Sequence, residues 1–218
     1  MYKVIDVKTW KRKKQFTWFN SFSNPCYGVN AEIDVTEVVN CSKETKTSFF
    51  INYLFLMMKG LNETMEMRLR IVDGEVRLYD VINPTYTVMT KTGVYENAGS
   101  KMYDDYHQFY NEAHNEIESV KNQVTVKDTF NSSEDYGLYY ITCIPWISYN
   151  AMTHPIPIGD VNSLSVPRIC WDKYRMINNK YYINLNITVS HALVDGFALS
   201  KAFLNIQDKL NKAWDILK

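Results

Sequence analysis

The residues with most chemistry to offer gather late in the chain, where His191 stands four residues before Asp195-Gly196. Imidazole titrates nearest neutral pH, so a histidine held in one pose is a candidate general base. The preceding residues supply such a hold. Ile183, Leu185, Ile187 and Val189 alternate with Asn184, Asn186, Thr188 and Ser190, the period of a strand with one buried face. His191 follows at the parity of the apolar face, and Asp195-Gly196 then turns the chain into a helical pattern. The same spacing suits a core histidine satisfied by a backbone carbonyl, with Asp-Gly as an ordinary turn. Spacing alone leaves both readings open.

Other chemistry is thinly represented. His107 and His114 lie seven apart on an expected helix with no third ligand, which fits solvent-facing positions better than a metal site. Cys26, Cys41, Cys143 and Cys170 are scattered without a Cys-x-x-Cys pair, so neither a disulfide framework nor a cysteine-held metal is expected. There is no G-x-x-x-x-G-K-[ST] loop, no G-x-G-x-x-G after a strand, no H-E-x-x-H and no G-x-S-x-G elbow. Nucleotide folds, zincins and triad hydrolases lose support accordingly.

Composition frames these residues. The chain has 218 residues, 46% of them hydrophobic, enough for a single domain over 1–218 with a real core. Its 24 basic and 24 acidic residues cancel, so no global field draws it to nucleic acid or an anionic membrane. The expected partner is small, or another copy of the chain. The N-terminus lacks a signal-like apolar core, and the run Tyr53 to Met58 is too short to span a bilayer. A soluble protein of the reducing cytoplasm is expected.

The elements that must position His191 follow from periodicity. Asp6 or Thr9 is a cap for a first helix carrying Trp10, Phe16, Phe19 and Phe22, with Lys11 to Lys14 as its solvated face. A strand from Tyr27 to about Thr36 leads to a short helix through Val38 and Val39. Phe49 to Leu61 is the most apolar helix, with Met57 and Met58 as core filling. Met67 to Val72 and Glu75 to Val81 flank Asp73-Gly74 as a hairpin. Tyr86 to Thr90 reads as a strand, and Asp104 to Gln123 as a helix buried along Tyr106, Phe109, Tyr110, Ala113, Ile117 and Val120. Val124 to Gly137 is a polar loop, Leu138 to Cys143 a strand, and Tyr149 to Val166 a long irregular segment. A strand near Pro167 to Tyr174 pairs with the His191 strand. The closing helix, from about Phe197 to Leu217, buries Leu199, Phe203, Ile206, Leu210, Trp214 and Leu217. Interleaved strands and helices with hairpins give an α/β two-layer sandwich: a mixed β-sheet covered by helices.

Ser190-His191-Ala192-Leu193-Val194-Asp195-Gly196-Phe197 resembles the H-H-x-x-x-D-G-[FY] signature of the chloramphenicol acetyltransferase family. Trp10-Lys11-Arg12-Lys13 with Phe16 resembles its W-x-R-[KR]-x-x-F. Met67 to Ile71, Asp80 and Pro84-Thr85-Tyr86-Thr87-Val88-Met89 are similar to its hairpin and P-x-[FY]-T-V-F stretch. Thr142-Cys143-Ile144-Pro145-Trp146 is similar to its S-x-x-P-W. The matches fall in order along nearly the whole chain. Related signatures occur in dihydrolipoyl acyltransferases and condensation domains, but this chain has no lipoyl domain with a linker and no room for a duplicated condensation domain.

The resemblance implies a homotrimer with an active site at each subunit boundary, using acetyl-CoA and a small acceptor such as chloramphenicol. His191 is then the base that deprotonates the acceptor hydroxyl, without an acyl-enzyme, and Thr142 the donor to the tetrahedral oxyanion. Asp195 and Arg12 form a structural ion pair that fixes the turn after His191. Trp146 and Tyr174 pack on the CoA, and Lys173 approaches a phosphate. Phe19, Cys26, Tyr95, His154 and Cys170 take acceptor-facing positions. Departures cluster at those positions: Ser190 replaces the first histidine of the pair, Ala151 to Pro155 replaces a Ser-Phe-Asn-Leu-Asn stretch, Cys170 replaces a threonine, and Gly28 a large pocket residue. Three functions stand open: chloramphenicol O-acetyltransferase, the same chemistry on another alcohol or amine, and a trimeric ligand-binding protein without catalysis.

Overall fold

The computed structural model describes residues 1–125, 136–157 and 160–218. Most of the expected 124–137 loop and two positions of the 149–166 segment therefore lie outside the described residues. The chain runs β1 (Tyr2–Ile5), α1 (Lys13–Phe19), β2 (Cys26–Asp34), α2 (Thr36–Thr45), α3 (Phe49–Asn62), β3 (Leu69–Val72), β4 (Glu75–Tyr79), β5 (Asn83–Met89), β6 (Tyr95–Gly99) and α4 (Tyr106–Lys121). It continues through β7 (Leu138–Ile144), β8 (Arg168–Asp172), β9 (Arg175–Ile177), β10 (Lys180–Ser190), α5 (Gly196–Asn211) and α6 (Ala213–Ile216).

Seven strands form the main sheet in the order β2-β10-β8-β7-β5-β6, with β9 paired to β10, and β1-β4-β3 form a smaller one. The pairs β5–β7 and β7–β8 are parallel and the other pairs antiparallel, giving the mixed sheet expected of a two-layer α/β sandwich. The strand that leads to His191 lies inside the sheet, between the edge strand β2 and β8. Ile183, Leu185, Ile187 and Val189 are all at most 1% exposed and belong to the core shared with α3 and α5. Asn184, Asn186, Thr188 and Ser190 take the opposite face, as period-2 geometry requires.

α3 is buried on nearly every side, including Met57 and Met58, because α4, α5 and the sheet surround it. Gly60 allows the closest of these approaches: a Cβ there would meet the Ile206 Cα of α5 at 2.6 Å. The Asp73-Gly74 hairpin is present, and both residues take positive φ, 52° and 79°, as a two-residue turn between twisted strands demands.

Several boundaries differ from the sequence reading. α1 starts at Lys13, because Asp6 spends its carboxylate on a local turn, accepting from the Lys8 N–H at 2.9 Å and the Thr9 hydroxyl at 3.0 Å. Met67 lies in a short 3₁₀ turn instead of the hairpin. The strand expected over Pro167 to Tyr174 is β8, which ends at Asp172; beyond it the unexpected β9 also pairs with β10, and Asn178 and Asn179 turn between β9 and β10 at φ 49° and 62°. The C-terminal helix breaks at Lys212. β1 and β6 carry no strong apolar alternation and were not expected.

Candidate active site

β10 ends at Ser190, and the chain folds straight into a turn in which the Leu193 and Val194 N–H groups donate to the Ser190 carbonyl at 3.1 and 3.0 Å. His191 sits at the start of this turn, tied by its N–H to the Pro25 carbonyl at 2.8 Å. Its ring stacks on Phe19 at 3.8 Å with planes 7° apart and leans on Tyr27 at 4.6 Å. Two aromatic walls leave the imidazole one orientation. Its Nδ1 is buried and makes no hydrogen bond among the described residues, so Nε2 is the nitrogen on which proton transfer would turn. Burial, and then the Asp195 charge, pushes the Tyr27 hydroxyl up to about 12. Tyr27 therefore stays protonated as it donates to the Val194 carbonyl at 3.4 Å.

Asp195 does not orient the ring. Its Oδ1 caps α5 by accepting from the Ala198 N–H at 2.9 Å, and its Oδ2 lies 3.0 Å from Arg12 Nη1. Arg12 also lies 3.9 Å from Glu66, and its side chain is mostly covered, unlike its neighbours Lys11, Lys13 and Lys14. Burial by itself would raise the Asp195 carboxyl, but the Ala198 N–H and Arg12 outweigh it and hold it below the usual range. The pair closes the turn that follows His191 onto the segment before α1.

Thr142 lies elsewhere. It projects from β7 on the face away from the helices, since Tyr139 and Ile141 fill the core side. Its hydroxyl is 3.0 Å from that of Thr87 on β5. Around it opens a cleft of about 790 Å³ whose lining includes Trp146, Lys173, Tyr174, Tyr95, Met152, His154 and Asp172. The three expected CoA residues thus share one cleft with Thr142, as do Tyr95 and His154. Trp146 is largely exposed, whereas Tyr174 packs edge-on to Phe49 and Tyr181. Cys170, paired with Thr142, is wholly buried with its thiol 3.8 Å from the Trp171 carbonyl, so it backs the cleft without opening onto it. Burial pushes the Cys143 thiol up to about 12 and raises Cys26 and Cys170 as well, which leaves none of the three a ready thiolate nucleophile.

Sheet register measures the gap between the two groups. Thr142 pairs with Cys170, and Cys170 with Asn186. Two strand spacings of about 4.8 Å and five residues at about 3.3 Å put Thr142 and His191 roughly 19 Å apart in the plane of the sheet. One reacting carbon cannot touch both. Phe19 and Cys26 stay on the His191 side, Cys26 pairing with Ser190 and donating its thiol to the Leu164 carbonyl at 3.4 Å. Phe19 also edges a concavity of about 910 Å³ on α1, lined with Lys11, Lys13, Lys14 and Trp18. Gly28 pairs with Thr188, and a Cβ there would meet the Thr188 hydroxyl at 2.5 Å. His107 and His114 are exposed on α4, and no metal-holding group of His, Cys, Asp or Glu occurs among the described residues.

Three contributors were not legible in the sequence. Tyr27 and Thr87 emerge only with the register that sets them beside His191 and Thr142. The third is a polar strap under the 147–157 segment. The carboxylate of Asp172, fully covered, accepts from the Tyr149 N–H at 3.2 Å, the Asn184 N–H at 2.7 Å and the Asn184 side chain at 3.0 Å. Tyr149 in turn donates its hydroxyl to the Cys170 carbonyl at 3.0 Å. Asn186 donates to the Met152 carbonyl at 3.1 Å and to Asn30 at 3.1 Å, while the Met152 N–H reaches Asn30 at 3.2 Å. A segment that looks irregular in sequence is thereby held to the sheet at two places.

The chain matches the family model described as chloramphenicol acetyltransferase over residues 1–207. It is 26% identical over 217 residues to a chloramphenicol acetyltransferase of Staphylococcus aureus, with 98% of each chain covered. The identity to an Escherichia coli chloramphenicol acetyltransferase is 23% over 207 residues, covering 94% of this chain and 92% of the relative. A solved chloramphenicol acetyltransferase superposes with a TM-score of 0.84 at 25% identity, covering 96% of this chain and all of the other. A probable dihydrolipoamide acetyltransferase of Listeria monocytogenes shares the fold at 13% identity and a TM-score of 0.66, with 92% and 90% covered.

Proposed function

Because the chain belongs to the chloramphenicol acetyltransferase family and is an acyltransferase, we propose that it moves an acetyl group from acetyl-CoA to a hydroxyl of chloramphenicol or a similar small acceptor, at a site completed by a second copy of the chain. The observation that carries this reading is the division of labour between two places. Thr142, Trp146, Lys173 and Tyr174 share one cleft, while His191 is fixed against Phe19 and Tyr27 roughly 19 Å away. A symmetric ring brings the His191 of one copy to the Thr142 cleft of the next.

Each residue then has one task. His191 Nε2 takes the proton of the acceptor hydroxyl, which attacks the thioester carbonyl directly. The carbonyl oxygen gains charge, and the Thr142 hydroxyl donates to it; one such donor is worth about 10²–10³ in rate. Collapse expels the CoA thiolate and leaves the acetyl ester. The raised thiols argue against a cysteine acyl-enzyme. The exposed Trp146 and the Tyr174 ring offer flat faces to the CoA, and Lys173 a cation to one of its phosphates.

The test is thiol release from acetyl-CoA with chloramphenicol and a panel of other hydroxylated and amine acceptors. Chloramphenicol-dependent release that vanishes in His191→Ala supports the reading. Release only with other acceptors moves the substrate, an outcome that the altered segment around His154 favours. Ligand binding with no turnover by any acceptor refutes the proposal.

A further inference from the structure

A row of aromatic rings runs on from the Thr142 cleft to a lysine that no motif singles out. Tyr174 lines the cleft beside Lys173, and its ring meets Phe49 at 5.1 Å and Tyr181 at 5.6 Å, both edge-on. Tyr181 is pinned to the start of α2: its N–H donates to the Thr36 hydroxyl at 2.9 Å, and its carbonyl accepts from the Val35 N–H at 2.8 Å. Its hydroxyl accepts from Lys43 Nζ at 2.7 Å, and the same ammonium lies 4.4 Å from the ring centre. Lys43 is exposed on α2, and among the described residues this neutral phenol is its one partner. Lys180, next to Tyr181, spends its charge on Asp34 at 3.1 Å instead. Lys43 is thus a cation held in place with its charge unspent.

We propose that Lys43 is a specificity-determining residue for the acyl donor: it recognises the ribose 3′-phosphate of CoA and leaves the diphosphate to Lys173. This rests on the acetyl-transfer reading of the cleft. The order of the two cations carries it. Cys170 pairs with Thr142 and with Asn186, so Lys173, three residues past Cys170, stands roughly 11 Å from Thr142 in the plane of the sheet. Tyr181, five residues from Asn186 on the same side, stands roughly 19 Å away, in the direction opposite to His191. Outward from its thioester CoA presents pantetheine, then the diphosphate, then the phosphorylated ribose; outward from Thr142 the protein presents Lys173, then Lys43. An ammonium is a compact charge suited to a phosphate dianion, and the bond to Tyr181 leaves two of its three hydrogens for phosphate oxygens. That same bond removes in advance part of the side-chain freedom that a loose surface lysine loses on binding.

The test is calorimetric binding of CoA and of 3′-dephospho-CoA to the whole chain, which needs no acceptor. Wild type should hold CoA about five- to tenfold more tightly than the dephosphorylated form, with the preference shrinking as salt rises. Lys43→Met, at an exposed position where folding is not at stake, should bring CoA down to the affinity of 3′-dephospho-CoA and leave the latter unchanged. Lys43→Arg should keep the preference, and Lys173→Met should weaken both ligands alike. Where turnover is found, Lys43→Met should raise the acetyl-CoA KM with kcat and the acceptor KM held. Equal affinity of the wild type for the two ligands, or a preference that survives in Lys43→Met, overturns the inference and leaves acetyl transfer standing. Binding of neither ligand refutes the acetyl-transfer reading itself, and the inference with it.

Discussion

The separation of His191 and Thr142 makes complementation between two crippled chains the sharpest test of a shared site. His191→Ala should lose the base, worth about 10²–10⁴ in rate, and Thr142→Ala the oxyanion donor, worth about 10²–10³. Each homogeneous variant should therefore keep about 1% of wild-type activity or less. In a cyclic trimer each boundary takes its His191 from one chain and its Thr142 from the next, so a trimer containing both variants has one boundary in which both residues are intact. Mixed trimers should regain about a third of wild-type sites, at least about thirtyfold above either parent. Co-expression with two affinity tags, sequential purification and a thiol-release assay measure this directly. Doubly tagged trimers no more active than the sum of the parents would show that one chain supplies both groups, against the roughly 19 Å that the strand register implies. A fully active monomer would do the same.

The ion pair invites a second substitution. Arg12→Val removes the partner 3.0 Å from Asp195 but leaves the α5 cap, so we expect a loss of about 1–2 kcal/mol by denaturant unfolding, together with lower kcat as the turn behind His191 loosens; unchanged stability and activity would remove its structural role. His154 sets a pH dependence. Its folded value of about 4 lies below the ordinary 6.5, so the unfolded chain binds more protons between those limits and stability falls as pH drops through that window. Discounted for solvent contact, the loss is about 1–2 kcal/mol, and His154→Gln should unfold with a correspondingly flatter profile between pH 7 and 4.5. Thr142→Ser keeps the hydroxyl and should stay within about fivefold of wild type, whereas Thr142→Ala should fall by about 10²–10³ in kcat. Equal losses in the two variants would mean that the methyl group of Thr142, and not its O–H, is what matters.

The α/β class, the strand before His191 with its buried parity, the Asp73-Gly74 hairpin and the buried α3 were all legible because each is written in short-range periodicity or in a turn that only certain residues make. What periodicity could not supply was register. Nothing local says that Tyr27 will lie beside His191, or that Thr142, Cys170 and Asn186 will form one row. The resemblance compensated for part of this, since it brought Arg12 to Asp195 across the length of the chain, and the geometry places them 3.0 Å apart. The 149–166 segment was opaque for another reason. Its first residues, Tyr149 and Met152, are tied to Asp172, Asn184 and Asn186 on neighbouring strands, and side-chain bonds to distant partners leave no period in the segment itself.

The order of the main sheet has a consequence for how the protein is made. β10 lies between β2 and β8, yet among the described strands of this sheet it is the last to be synthesised. Until then β2 has no partner and β8 lacks one of its two neighbours, so a nascent chain carries open strand edges and an uncovered apolar face through most of synthesis. Insertion of one late strand joins contacts separated by well over a hundred residues, a slow step by its loop-closure cost. Fewer active molecules at higher expression temperature, with co-translational chaperones restoring the yield, are what such a topology leads one to look for. The strand that ends in His191 is then also the one whose arrival completes the fold, so the base is assembled only in molecules that have finished folding.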